Sequence, residues 1–185
     1  IERYIMLKPT EFVNFIKDAI KSGGNKEIYE QDRICVRQIG KSPITTYVEK
    51  GIYALNTIYN IFQLNKTISL KYILGIINSA LTKYYWLKLN FDEKETFPKI
   101  KKDSILSLPI ISINFSNPNE KSQYDKMVFL VEKMLEAKKH VLEAKTEKDK
   151  TYCKNMCSTI DRQIDQLVYE LYGLTEEEIK IVGGG

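Results

Sequence analysis

Two apolar stripes with heptad spacing occupy the last third of the chain, and they leave it little choice but to pack helix on helix. Tyr124, Val128, Val131, Leu135 and Leu142 follow at 4-3-4-7, with Lys138 on the seam, and Cys153, Cys157, Ile160, Ile164, Leu167 and Leu171 follow at 4-3-4-3-4. Alternating steps of three and four keep one face of a helix apolar, so each segment predicts a long, coiled-coil-like helix that must bury that face. The connecting AKTEKDKT lacks Gly and Pro. It leaves two outcomes open: an antiparallel hairpin, or one helix of about 50 residues, roughly 75 Å at 1.5 Å per residue. Polar Thr146 and Asp149 interrupt the seam and favour the hairpin. Gly173 suits a left-handed stop after Tyr172, with Leu174 packing back. Thr175 and Glu178 then have capping-box spacing for a short last helix. Glu176 and Glu177 suit the positive end of that helix, so the acidic cluster needs no catalytic explanation.

The first 120 residues read differently. FVNFIKDAI (12–20) has helical spacing and runs to a glycine stop at Gly23-Gly24. RICVRQI (33–39) alternates and predicts a short strand: Ile34, Val36 and Gln38 point one way, Cys35, Arg37 and Ile39 the other. A turn follows over Gly40 to Pro43. TTYVEKGIYALNTIYNIFQL reads as short strands broken at Lys50-Gly51 and near Asn56. Asn65-Lys66-Thr67 is a turn, and Ser69 is an N-cap for a helix from Leu70 to Trp86. That helix is unusual in carrying Asn78-Ser79 inside an apolar run. Two explanations are open, satisfaction of neighbouring backbone groups and direct reading of a ligand, and the first carries more weight. Pro98 and Pro109 bracket a short element whose Ile105, Leu106 and Leu108 dock on the core, and 114–120 reads as a linker. The expected fold is therefore α+β: a small mixed recognition lobe over 1–120, then a helical hairpin and a short terminal helix over 121–185.

Charge is spread unevenly. Residues 1–91 carry 13 Lys+Arg against 7 Asp+Glu, a balance of +6, while 92–120 and 121–185 each stand at −1. This is the pattern of a chain whose first part meets a polyanion. No apolar run reaches the 18 residues of a membrane span. Three cysteines without framework spacing point to a reducing, cytoplasmic setting. Cys153 and Cys157 lie one turn apart, yet small buried thiols on an apolar stripe explain them better than a metal, because structural zinc needs four ligands. The chain starts at Ile1 and is expected to be part of a longer protein. No phosphate loop, nucleophile elbow or triad is evident, and His140 is the one histidine. Asp92, Glu93 and Glu95 near Lys94 form an acidic cluster that no second acidic position supports as a nuclease site. The sequence describes a reader rather than a catalyst.

ICVRQIG, YILGIINSALTKYYW and FPKIKKDSILSLPI, in that order, resemble the C-terminal specificity domain of TaqI-like and type IIG restriction-modification enzymes. So does the tail, LVEKMLEAKKHVLEAKTEKDK followed by IDRQIDQLVYELYGLTEEEIKIV. The resemblance runs over about residues 30–182. It implies a domain that reads a short duplex DNA sequence for adenine-specific methyltransferase or endonuclease domains upstream in a prokaryotic parent chain. S-adenosylmethionine, and Mg if the parent cleaves, would belong to those domains, and no cofactor or catalytic residue is expected in this chain. Given that reading, Arg33, Arg37 and Gln38 are the expected base-edge contacts, since Arg and Gln suit bidentate contacts to guanine and adenine. Lys41, Lys83, Lys99, Lys101 and Lys102 are the expected phosphate contacts. The alternatives are a protein-interaction module that self-associates or assembles through the helices, and a fragment of a type I specificity subunit.

Overall fold

A computed structural model of the chain describes residues 1–6, 9–12, 25–54, 57–63, 67–89 and 98–184. Most of the helix expected at 12–20, the Gly23-Gly24 stop, the break near Asn56, the turn at Asn65-Lys66 and the acidic cluster at 92–95 lie outside the described residues. The architecture is α+β. In chain order the elements are α1 (Lys26–Tyr29), β1 (Arg33–Arg37), β2 (Thr45–Val48), β3 (Ile58–Ile61), α2 (Leu70–Ile77), α3 (Ala80–Leu89), α4 (Lys102–Leu106), α5 (Pro118–Glu143), α6 (Glu147–Tyr172) and α7 (Glu176–Val182).

The strands form one antiparallel sheet in the order β2-β1-β3. Cys35 is opposite Thr46 on one side and Asn60 on the other, and Ile34 is opposite Tyr47 and Ile61. Ile34 and Val36 enter the main core together with α2 and the long helices. The second face of β1 is covered as well, for Arg33 and Cys35 are both fully buried. An alternating strand normally buries one face; this central strand buries two.

The apolar helix expected from Leu70 to Trp86 is two helices. α2 ends at Ile77, and α3 starts at Ala80. The Ser79 hydroxyl donates to the Ile76 carbonyl (2.8 Å) and accepts from the Thr82 amide (3.2 Å), capping α3 as it closes α2. Capping by a serine is a strong local signal, hidden here because the apolar periodicity runs through it. Ser69 caps α2 as expected, accepting from the Lys71 amide.

α5 and α6, joined by 144–146, form the antiparallel hairpin. Thr146 accepts from the Asp149 amide at 3.1 Å, so the two polar residues that interrupt the seam are the cap of the second helix. α6 buries the predicted stripe: Cys157, Ile160, Ile164 and Leu167 are buried, and Cys153 is half-buried. α5 does not follow the predicted one. Its buried residues are Met127, Leu130, Val131, Met134 and Ala137, while Tyr124, Val128 and Leu135 lie at the edge and Leu142 is exposed. The reason is that α5 packs against α2 as well as α6, and two partners shift and widen the face a helix must bury. The stretch read as a linker already holds the start of α5, with Asn117 as N-cap and Pro118 in the first turn, the position where proline costs no hydrogen bond. The end of α6 is as expected. Gly173 is left-handed (φ 65), the Leu174 amide returns to the Tyr169 carbonyl, and Thr175 and Glu178 close a capping box.

The hairpin and the sheet share one core, so the boundary drawn at 120 falls in the first turn of α5 and not in a gap between cores. α2 meets α5 closely at Gly75. A Cβ there would come within 2.5 Å of Met127 Sδ and 3.0 Å of Val131 Cγ2. Met127 and Val131 are themselves fully buried, so Met127 would have to change its side-chain conformation within a packed core. We expect Gly75→Ala to destabilise by about 1 kcal/mol net, an overpacking cost of about 1–3 kcal/mol offset by the better helix propensity of alanine. The same substitution in a Met127→Ala background should cost less or stabilise. Urea unfolding of the four proteins in this cycle measures the coupling.

Candidate nucleic-acid interface

The site is built on the end of β1. After Arg37 the chain turns through Gly40 to Pro43, and residues 98–100 come alongside. The Gln38 amide donates to the Thr57 carbonyl (3.1 Å), the Ile100 amide to the Gln38 carbonyl (2.9 Å), and the Gly40 amide to the Pro98 carbonyl (3.0 Å). Ile39 and Lys99 are therefore bridge partners. Ile100 anchors this pairing from below, in a small core with Ile77, Trp86 and Leu108. Lys101 and Lys102 follow at the start of α4. Lys41, Lys99, Lys101 and Lys102 are all exposed, and Arg37 and Gln38 are half-exposed.

Lys83 approaches from the other side. It is exposed on the first turn of α3 and lines a cleft of about 600 Å³ together with Arg37, Ser42, Pro43 and Lys138. The far wall of the cleft holds Arg3, Asp161 and Asp165, and each of these is committed to a structural contact. Arg3 donates both terminal nitrogens to Asp161 (2.6 and 3.2 Å) and also reaches the Asn78 carbonyl (2.6 Å). Asp165 accepts from the Ala80 amide at 2.7 Å. Burial pushes the Asp165 carboxyl above its ordinary range; the Ala80 amide opposes the shift, while nearby Asp161 adds to it. Among the described residues Arg37, Lys83, Lys99, Lys101 and Lys102 form no ion pair, whereas Arg3, Lys71 and Lys121 do.

Seven of the eight expected contact residues thus gather around one turn, although about 60 positions, including β2, β3, α2 and α3, separate some of them in sequence. The exception is Arg33. Its side chain does not reach outward as the strand alternation suggests but is fully buried. Nε donates to Asn60 Oδ1 at 2.8 Å, Nη2 donates to the Ile52 carbonyl, and the guanidinium lies 5.0 Å from the Tyr29 ring centroid. It holds β3 and the 50–54 segment to the back of β1. Asn78 and Ser79 are also interior. The Asn78 side chain accepts from the Thr45 hydroxyl (2.8 Å) and donates to the Thr45 carbonyl (3.2 Å), which is the backbone-satisfying role and not base contact. The sequence reading missed Arg3, whose partner Asp161 is 158 positions away and leaves no local signal.

A small sheet with a basic turn, backed by helices, thus exposes arginine, glutamine and lysine, the side chains suited to a polyanion. The family model of the TaqI-like C-terminal specificity domain matches residues 1–110, and the chain belongs to this family. That family serves DNA sequence recognition in restriction-modification enzymes. The match takes in residues 1–29, which lie before the stretch carrying the sequence resemblance, and stops before the hairpin, over which that resemblance extends. In the fold Tyr4 is buried and donates its amide to Thr45, so the residues around Tyr4 are part of the lobe. No curated protein matches the chain.

Two outcomes are expected. Arg33→Ala should cost about 3 kcal/mol of stability, because it leaves Asn60 and the Ile52 carbonyl unsatisfied around a cavity. Denaturant unfolding checks this, and DNA sequence preference should not change. Asp165→Asn keeps an acceptor for Ala80 and removes a buried charge. Because the folded-state carboxyl titrates above its unfolded value, its cost develops as pH rises through that window and is absent at acid pH. The variant should therefore be stabilised above the raised value and match the wild type below the ordinary aspartate range, as thermal melts from pH 3 to 8 would show.

Proposed function

We propose that this chain reads a short duplex DNA sequence and places it for methyltransferase or nuclease domains of a restriction-modification enzyme in a prokaryotic cytoplasm. S-adenosylmethionine, and Mg where there is cleavage, would act in those domains. The observation that carries the reading is the pairing of residues 38–40 with 98–100. It draws two potential base readers, Arg37 and Gln38, into the same rigid patch as Lys41, Lys99, Lys101 and Lys102. The patch thereby holds both classes of contact that a sequence-specific DNA binder needs: lysine for affinity and register, arginine and glutamine for base edges. The hairpin acts as the support that fixes this patch relative to the upstream domains. Leu142 and Tyr152, exposed near its closed end, favour that end as a contact for those domains.

On this reading the chain binds duplex DNA, and affinity falls steeply with salt. Arg37→Ala should relax preference at one base position by about 1–3 kcal/mol, whereas Lys101→Ala should weaken all sequences alike and lower the salt slope by about 1. Binding profiles over a randomised duplex library at two salt concentrations separate the two. A uniform loss for Arg37→Ala would demote it to a phosphate or structural contact.

A further inference from the structure

Ile39 is out of place on this surface. It is 44% exposed, two residues after Arg37 and two before Lys41, and it bridges to Lys99. Its neighbours in the chain are held on both sides, Gln38 by Thr57 and Ile100 and Gly40 by Pro98, so the backbone cannot swing the side chain inward. The fold therefore presents a stiff, β-branched apolar group at the centre of a cationic patch. Cations on either side select a polyanion as the occupant, and the group between them needs an apolar feature on that polyanion. Duplex DNA displays one in its major groove, the 5-methyl group of thymine.

We propose that Ile39 is a specificity-determining residue that packs on a thymine methyl group, beside the polar base contact of Arg37. This rests on the reading of the chain as a DNA-sequence reader and adds to it a base type. Only dispersion and removal of apolar surface from water are involved, so the contact should discriminate modestly and be insensitive to salt.

The test starts from the duplex that the wild-type chain selects from a randomised library. Each thymine in that duplex is replaced singly by deoxyuridine, which deletes the methyl group and leaves the pairing edge intact. For the wild type, one replacement should weaken binding about three- to fivefold, the value of one buried methyl group. For Ile39→Ala the same replacement should have no effect, and for Ile39→Val an intermediate one, the valine variant also guarding against a fold lost in the alanine variant. A flat scan of the wild-type protein, a selected site without thymine, or an equal loss at the same position in the wild type and Ile39→Ala overturns the proposal while leaving DNA reading intact. Failure to select any duplex overturns the DNA reading itself, and the proposal with it.

Discussion

Where α2 ends, Asn78 joins parts of the chain that no local rule would bring together. Its side chain exchanges two hydrogen bonds with Thr45 of β2, and its carbonyl accepts from Arg3, which in turn grips Asp161 of α6. One turn further along α6, Asp165 receives the first amide of α3. The sheet, the N-terminal segment, both short helices and the hairpin are thus tied at one point. Two carboxylates four residues apart on one helix face would repel each other. Arg3 and the Ala80 amide are what let both sit there. The junction holds the break between α2 and α3 in place, and with it Lys83, which lines the cleft beside Arg37.

The junction works because the core behind it is continuous. β1 is buried on both faces, and Ile34 and Val36 share a core with Val131 and Ile164 of the hairpin. Gly75 lets α2 lie against α5 with almost no gap. The turn after β1 is therefore mounted on the longest helices of the molecule. A recognition surface gains from such mounting, because contacts held in place before binding lose less entropy on forming. The hairpin falls outside the residues matched by the family, yet it forms half of the core on which those residues rest.

How much was legible in the chain depended on range. Caps and stops were: Ser69, Thr175 with Glu178, and Gly173 each act within four residues. Strands β1 and β2 and the hairpin were also legible, through periodicity. The helix over 70–86 was not read correctly, because apolar spacing continues through the Asn78-Ser79 break and masks the Ser79 cap, while the partners of Asn78 lie far away in sequence. The stripe on α5 was misplaced because a heptad pattern assumes one partner helix and α5 has two. Arg33 was misread because alternation gives the side of a strand but not what covers it.

What the sequence determined by itself was most of the elements, the uneven charge and the residue types able to contact DNA, since propensity, capping and composition are properties of a few neighbours. What only the tertiary structure decided was membership of the patch. Residues 98–102 join Arg37, Gln38 and Lys41 through backbone hydrogen bonds, which carry no side-chain signature in the sequence. Arg33 is removed from the patch by burial against Asn60 and Tyr29, positions that become its neighbours only when the sheet has formed.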